Sequence, residues 1–357
     1  MQTDPRPESQ PPETLPPASP VSGRPRPAAT TESTAWSFPR PRLVVSRCLN
    51  FHHCRYDGSL IPNSIIASLQ DYVEFVPICP EVEIGLGVPR PPVRLVQGEG
   101  EIRLVQPDTG RDLTQAMAEF SATFLGSLPP VDGFILKNRS PSCAIQDARV
   151  HVEAGARGGA PGRRPGLFGA AVLARFPLLP VEDEGRLTNR AIREHFFTVI
   201  FALARLRQVE ASGKMAALVE FHSRYKLLLM GLDQLRTREL GRIVANHARL
   251  SFPVVVARYR TALQWAFQQP PARPAMVNVL MHALGYFSRQ LHPREKGYFL
   301  EMLNEYREGR LPLSTPVGVL RAWVVRFQDP YLAGQALFHP FPTPLVDLND
   351  SGKGRSA

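Results

Sequence analysis

The chain has few cysteines and no long apolar run. Only four cysteines occur among 357 residues, without the dense, even spacing of a secreted disulfide scaffold, which indicates a reducing compartment. No stretch approaches the roughly 18 uninterrupted apolar residues of a membrane span, and the N-terminus lacks the basic-then-apolar order of a signal peptide. We therefore expect a cytoplasmic protein with no membrane partner. The H-E-x-x-H, Walker and dinucleotide-binding signatures are also absent.

Acidic residues are outnumbered by basic ones. The formal net charge is +10 and the isoelectric point is about 9.8, a balance that suits a polyanionic partner such as nucleic acid or a nucleotide. The abundance of Arg, Ala, Pro and Gly together is also typical of a GC-rich coding sequence. Nucleic acid is therefore an alternative partner that composition alone does not favour.

The N-terminal part alternates strand-like and helix-like patterns. Residues 1–38 are rich in Pro, Ser, Thr and Glu with almost no large apolar side chains, so we expect a disordered tail. Over residues 39–185, short apolar runs alternate with amphipathic segments, which predicts an α/β domain with a mostly parallel sheet. The Gly- and Pro-rich residues 152–169 are expected to be irregular. The predicted strands are Leu43–Val45, Val73–Ile78 and Phe134–Leu136.

Strand patterns disappear in the C-terminal part. Between residues 186 and 345, apolar residues recur at helical spacing in about six segments, among them 243–250, which predicts an all-α bundle. Gly309 stands where a left-handed residue ends a helix, and the prolines at 312 and 316 disfavour continuation of that helix. Residues 346–357 are expected to be a disordered C-terminal tail.

Three of the four cysteines follow predicted strands. Cys48 ends "LVVSRC", Cys79 ends "FVPIC" and Cys143 follows "FILKNRSPSC". Because ligands gather where the carboxyl ends of parallel strands open into loops, we expect these thiols to meet at one edge of the sheet. Three thiolates suit a soft metal centre, and the pattern leaves iron–sulfur and zinc both open. Cysteines that pack as small buried side chains are the alternative.

Polar residues beside these cysteines extend the predicted site. Glu81, two residues after Cys79, is expected to face the same crevice as a general acid or base. Ser140 and Ser142 precede Cys143 in a turn, and their hydroxyls are suited to donate to cluster sulfurs or to a bound anion.

Three motifs of this half resemble the thiouracil desulfidase family of the TudS type. They are "SRCLNFHHCRYDG" (46–58), "CPEVEIGLGVPRPPVRL" (79–95) and "LKNRSPSCA" (136–144), in the family's order. The resemblance spans about residues 42–183. It implies a [4Fe–4S] cluster held by Cys48, Cys79 and Cys143 with one iron free of protein thiolate. It also implies Glu81 as the catalytic residue and Ser140 as an active-site serine that orients the glutamate or the substrate.

An open iron implies hydrolytic removal of sulfur. A thiocarbonyl sulfur is a soft ligand for such an iron, so the C–S bond would be polarised for addition of water, with Glu81 relaying the proton and sulfur leaving as hydrosulfide. The expected substrate is a thiolated pyrimidine such as thiouracil, as base or nucleotide, or a related thioamide. Cys54, six residues after Cys48, is expected to be a bystander. The residues expected to hold the base or to close the loops are Asn50, Arg55, Tyr56 and Arg90.

The helical half resembles the YbgA-type bacterial domain, which has no assigned activity. The resemblance is carried by "FHSRYKLLLM" (221–230), "NVLMHALGYF" (278–287), "PREKGYF" (293–299) and "DPYLAGQ" (329–335). Polar residues within these helices suit a groove for an anionic ligand, and solvated helix faces explain them equally. The alternative function is a nucleic-acid- or protein-binding module with a structural metal or a cluster-sensing cysteine domain. A homodimer through an exposed apolar helix stripe stays open.

Overall fold

A parallel sheet positions the cysteine loops. The computed structural model describes residues 36–98, 101–152 and 162–350. Over these residues, the order of the first sheet is β2 (Glu74–Ile78), β1 (Arg42–Ser46), β6 (Gly133–Leu136) and β9 (Val181–Asp183), and all three pairings are parallel. The central strands β1 and β6 are almost completely buried, as expected for a sheet covered on both faces. The predicted α/β fold is confirmed.

A second, mixed sheet was absent from the sequence-based prediction. Its order is β5 (Arg111–Asp112), β4 (Ile102–Gln106), β3 (Arg94–Gln97), β7 (Ala148–Val152) and β8 (Arg163–Arg164), and only the pairing of β3 with β7 is parallel. These strands have two to five residues, so their alternation of buried and exposed side chains is too short to distinguish from a loop by sequence.

The ends of the chain and the Gly/Pro-rich loop are only partly covered by the structure. The predicted tail at residues 1–38 lies outside the described residues up to position 35. Residues 153–161 of the loop predicted to be irregular also lie outside them. The described remainder of that loop contains β8 and the beginning of α4 (Leu167–Arg175), because the apolar run after the glycines packs into the core.

Helices cover the parallel sheet from two sides. On one side, α3 (Thr114–Ser127) and α4 pack with the second sheet around Phe134 and Phe168. On the other side, Leu43, Val45 and Ile135 of the sheet share a core with α1 (Ser64–Leu69) and with Phe197, Ile200 and Phe201. These last three residues belong to α5 (Arg190–Ser212), the first helix of the C-terminal part. The helical part therefore completes the core of the α/β part.

The regular secondary structure of the described C-terminal part consists of helices, which confirms the all-α prediction. Two features differ from the predicted helices for local reasons, and one predicted helix end is confirmed. The segment 243–250 is helical only up to Ala245, the last residue of α7 (Gln234–Ala245), because Asn246 adopts a left-handed conformation (φ 45°). Gly309 ends α10 with φ 81°, as expected. Pro316 lies in the first turn of α11, where a missing N–H costs no helical hydrogen bond. The helices are α5 (Arg190–Ser212), α6 (Met215–Leu232), α7 (Gln234–Ala245), α8 (Phe252–Ala266), α9 (Arg273–Phe287), α10 (Pro293–Arg307), α11 (Ser314–Phe327) and α12 (Pro330–Ala333).

No helix in the described part of the chain has both the length and the apolar character needed to cross a bilayer.

The last described residues run beside the beginning of α5. There the buried Arg193 donates to the carbonyl oxygens of Asp347 and Asn349 at 2.8 and 2.7 Å. The domain boundary near residue 185 stays a prediction, since the chain from Phe38 onward forms one compact unit.

A buried carboxylate links α5 to the parallel sheet. Asp132, which is 1% exposed and directly precedes β6, accepts from the Arg42 backbone N–H at 2.8 Å. The Arg207 guanidinium of α5 donates to the same carboxylate at 2.9 Å. Burial raises the pKa of Asp132, and the hydrogen bond from Arg207 opposes that increase. Arg207 is thus the counter-ion that lets this carboxylate be buried ionised.

Replacing Arg207 by Ala is expected to lower the free energy of unfolding by about 2–3 kcal/mol, because Asp132 would be left buried without its cation. Urea unfolding followed by circular dichroism measures the change. The matched variant Arg207→Ala/Asp132→Asn should be more stable than Arg207→Ala alone, since the neutral amide carries no unpaired charge. Equal stability of Arg207→Ala and the unmodified chain would contradict this role.

Candidate active site

A cavity of about 510 Å³ opens where β1, β2 and β6 end. All four cysteines line it, together with the carboxylate of Glu81 and several basic side chains. The structure therefore brings Cys48, Cys79 and Cys143 to one cavity, where the sequence-based argument expected them to converge.

Strand register accounts for the convergence. Ser46, the last residue of β1, pairs with Ile78, the last residue of β2, so Cys48 and Cys79 leave neighbouring strands at the same level. The Arg47 N–H continues the ladder to the Ile78 carbonyl oxygen at 2.7 Å. From the other neighbour, the Lys137 N–H donates to Ser46 Oγ at 2.8 Å. The Ser46 hydroxyl also lowers the pKa of the Cys143 thiol and so opposes the effect of burial. Sequence reasoning missed Ser46, although it lies inside the first motif.

Serine and glycine residues shape the loop that carries Cys143. Ser140 Oγ accepts from the Cys143 N–H at 3.0 Å and from the Ser142 N–H at 3.2 Å, which holds the loop in a tight turn. The loop then packs against the beginning of α4. A Cβ at Gly169 would lie 2.2 Å from the Ala144 carbonyl oxygen. Only a residue without a side chain permits this close approach.

All four cysteines are free thiols. Cys54 is 1% exposed, and interactions with the thiols of Cys48 and Cys79 contribute to the shift of its pKa. The Cys79 thiol also lies 3.7 Å from the Cys54 carbonyl oxygen. Sequence reasoning treated Cys54 as a bystander, yet it lines the same cavity. Its only sequence signal was its place in the first motif.

Burial and neighbouring thiols raise the pKa values of Cys54, Cys79 and Cys143. The hydrogen bond with Cys48 is the main cause that raises the pKa of Cys54 to about 11. The hydrogen bond with Cys54, followed by burial, raises the pKa of Cys79, and burial raises the pKa of Cys143. Within the described ranges, no three His, Cys, Asp or Glu side chains are arranged to hold a single metal ion.

The Glu81 carboxylate is held on both oxygens. Arg90 donates from Nη2 and Nε to Glu81 Oε2 at 2.7 and 3.1 Å, and Ser142 Oγ donates to Oε1 at 2.8 Å. Arg90 Nη1 also donates to the carbonyl oxygens of Cys54 and Gly87 at 3.1 Å. The serine that orients the glutamate is thus Ser142, whereas Ser140 shapes the loop. Arg90 lines the cavity, where its hydrogen bonds go to Glu81 and to two backbone carbonyl oxygens.

The remaining predicted residues divide between the cavity and its support. Arg55 and Tyr56 line the cavity, with the guanidinium carbon 5.5 Å from the ring centroid and the tyrosine 43% exposed. Asn50 does not line it. Its side chain donates to the Asn63 carbonyl oxygen and accepts from the Asn63 N–H, both at 2.6 Å, and so ties the first loop to α1.

Basic residues that sequence reasoning did not single out also line the cavity. They are Arg47, Lys137 and Arg139. Lys137 forms an ion pair with the largely buried Glu184, which also accepts from the Asn138 N–H at 2.9 Å. These cations favour an anionic group in the cavity. Lys137 and Arg139 lie in the "LKNRSPSCA" motif, and this position in the sequence could have indicated that they belong to the site.

Comparison with known proteins assigns the two halves. Residues 43–184 match the family model described as 2-thiouracil desulfurase, and residues 226–342 match a model described as a protein of unknown function (DUF1722). The uncharacterized protein YbbK of Bacillus subtilis is 34% identical over 108 residues, 28% of this chain and 72% of that protein. The N-terminal half belongs to the 2-thiouracil desulfurase family.

Two further relatives match parts of the chain. The uncharacterized protein YbgA of Escherichia coli is 31% identical over 155 residues, 43% of this chain and 91% of that protein. A solved structure, the [4Fe-4S]-dependent thiouracil desulfidase TudS, is 30% identical and covers 42% of this chain and 93% of its own, with a TM-score of 0.33. The family match and the YbgA match confirm the two-part arrangement.

Replacing Gly169 by Ala should displace the loop that carries Cys143, because the new Cβ would collide with the Ala144 carbonyl oxygen. We expect at least a tenfold lower yield of bound iron after anaerobic reconstitution, measured by iron content per chain. Gly126→Ala is the matched control, since a Cβ there meets nothing within 4 Å. Equal iron content in both variants would argue against a tight fit between α4 and this loop.

Proposed function

We propose that the protein removes sulfur hydrolytically from a thiolated pyrimidine or a related thioamide, with a [4Fe–4S] cluster held by Cys48, Cys79 and Cys143. The observation that carries this proposal is the meeting of three thiols from separate loops with the fixed carboxylate of Glu81 in one cavity. The description of the matched family, 2-thiouracil desulfurase, supports the substrate class.

The donor set fits an iron–sulfur cluster better than a single ion. Each cysteine ligand of a cluster binds a different iron, so the three thiols need not surround one point. A structural zinc requires four ligands around one ion, and the described residues offer no such group. When bound, the cluster would supply one iron without a protein thiolate, a Lewis acid for the soft sulfur of a thiocarbonyl.

Glu81 is the residue suited to move the proton. Oε2 accepts two hydrogen bonds from Arg90, whereas Oε1 accepts one from Ser142 and keeps a lone pair for a water molecule. Arg90 and Ser142 hold the carboxylate in one orientation, which reduces the reorganisation needed for proton transfer. Glu81 would take a proton from the water that adds at the thiocarbonyl carbon and return it to the departing sulfur. Thioamide and water give amide and hydrogen sulfide, so no electron donor is consumed.

The cavity rim suits a flat heteroaromatic ring. Tyr56 is exposed enough to stack on a pyrimidine, and the Arg55 guanidinium beside it offers hydrogen-bond donors to the ring carbonyl or to a phosphate of a nucleotide. Arg139 adds a further cation to the cavity lining. The substrate is therefore proposed to be a thiolated base, free or as a nucleotide.

Replacing Cys48, Cys79 or Cys143 by Ser should abolish the absorbance near ~400 nm that thiolate-ligated clusters give after anaerobic reconstitution. Glu81→Gln should keep that absorbance and lower sulfide release from 4-thiouracil by about 10²–10⁴-fold, the usual contribution of a general acid–base group. Glu83→Gln is the matched control, because Glu83 lies two residues away and pairs with Arg47 at 2.6 Å.

Two results would contradict this function. A colourless protein that carries one zinc ion and releases no sulfide would favour the binding-module alternative. Normal turnover of Glu81→Gln would remove the acid–base role while leaving the cluster assignment intact.

A further inference from the structure

Cys54 is a fourth thiol whose position the proposed reaction does not explain. It is buried and lines the same cavity as the three proposed cluster ligands, and its carbonyl oxygen lies 3.7 Å from the Cys79 thiol. A disulfide between two thiols of one cavity requires their sulfurs to approach to about 2.05 Å, with the Cα atoms about 4.4–6.8 Å apart.

We propose that Cys54 is an oxidation site of the cluster-free protein, which forms a disulfide with Cys48 and thereby removes one cluster ligand. The idea that this disulfide blocks cluster assembly rests on the proposed function; the disulfide itself does not.

The position of Cys48 in the same loop as Cys54 favours Cys48 over Cys79 as the disulfide partner of Cys54. Cys79 is held between β2 and the short helix α2 (Pro80–Glu83), and its thiol already points to the Cys54 carbonyl oxygen. Cys48 and Cys54 lie in one loop that begins after β1, where the His52 N–H donates to the Arg47 carbonyl oxygen and the Cys54 N–H donates to the His52 carbonyl oxygen, both at 2.9 Å. This turn folds the loop back, so that Cys48 and Cys54, six positions apart, both line the cavity, and a disulfide between them would stay within one loop.

The chemistry balances with an ordinary cellular oxidant. The Cys48 and Cys54 thiols lose two protons and two electrons and form one S–S bond. A small-molecule disulfide such as oxidised glutathione accepts the electrons and is reduced to two thiols. Cys48 is partly exposed at the cavity, so such an oxidant can begin the exchange there. A thiol reductant reverses the step, so the modification would be a reversible block rather than damage.

Trypsin makes the test direct, because Cys48 and Cys54 lie in the same expected peptide, residues 48–55 ("CLNFHHCR"), whereas Cys79 lies in another. The full chain, freed of iron with a chelator, is oxidised with oxidised glutathione, alkylated and digested. We expect peptide 48–55 to be unalkylated and lighter by two hydrogens, with two free thiols lost of the four present. Cys54→Ser and Cys54→Ala should lose none of their three remaining free thiols to an internal disulfide.

Cluster assembly gives the second readout. The oxidised chain should gain no absorbance near ~400 nm on addition of iron and sulfide until it is reduced, whereas Cys54→Ser oxidised in the same way should assemble the cluster after removal of the oxidant. Cys143→Ser is the matched control, since it lacks a proposed ligand but should still form the Cys48–Cys54 disulfide.

Failure of this proposal and failure of the proposed function are distinguishable. A cross-link between peptide 48–55 and the peptide with Cys79, or a peptide 48–55 that stays fully alkylated, would overturn the disulfide assignment even if the reduced chain assembles a cluster. A Cys48–Cys54 disulfide in a chain that assembles no cluster when reduced would support the oxidation site and overturn the cluster.

Discussion

The parallel register of β1 with β2 and β6 is the constraint on which the site depends. Ser46 is level with Ile78 on one side and bonds the Lys137 N–H on the other, so three loops begin at the same height. A shift by one residue would turn every side chain of β1 to the opposite face of the sheet. The core then enforces the register, because Leu43 and Val45 must face α5 while Val44 faces the second sheet.

Hydrogen bonds convert this coarse alignment into a defined site. Arg90 connects the Glu81 carboxylate to the Cys54 backbone, and Ser142 connects the same carboxylate to the Cys143 loop. Each of the three loops is therefore tied to another through Glu81 or its partners. The carboxylate serves as the junction of the loops as well as the proposed proton carrier, so its orientation and the positions of the thiols are coupled. Such support is what keeps a reactive constellation within narrow geometric limits.

Sequence reasoning correctly predicted the elements that are indicated by a short stretch of neighbouring residues. Apolar runs located β1, β2 and β6, and the principle that loops at carboxyl strand ends converge brought Cys48, Cys79 and Cys143 together. It did not identify roles that depend on the direction in which a side chain points. Ser140 and Ser142 are equivalent by spacing, yet only the second donates to Glu81. Asn50 stands among cavity residues in its motif, yet a positive φ of 68° accompanies its bonds to Asn63. The second sheet was not predicted, because its strands are short and some of its pairings join residues that are distant in sequence.

The helical half bears on the site through the core rather than through a shared cavity wall. Phe197, Ile200 and Phe201 of α5 cover the sheet face formed by Leu43, Val45 and Ile135, and Arg207 neutralises the buried Asp132 at the beginning of β6. Without α5, this face would expose large apolar side chains and Asp132 would lose its cation, each a substantial cost for a small domain. The strands that fix the positions of the cysteine loops therefore pack against the C-terminal half on one face of the sheet. A change in the packing of α5 would reach the cavity through β1 and β6, the two strands that this helix covers.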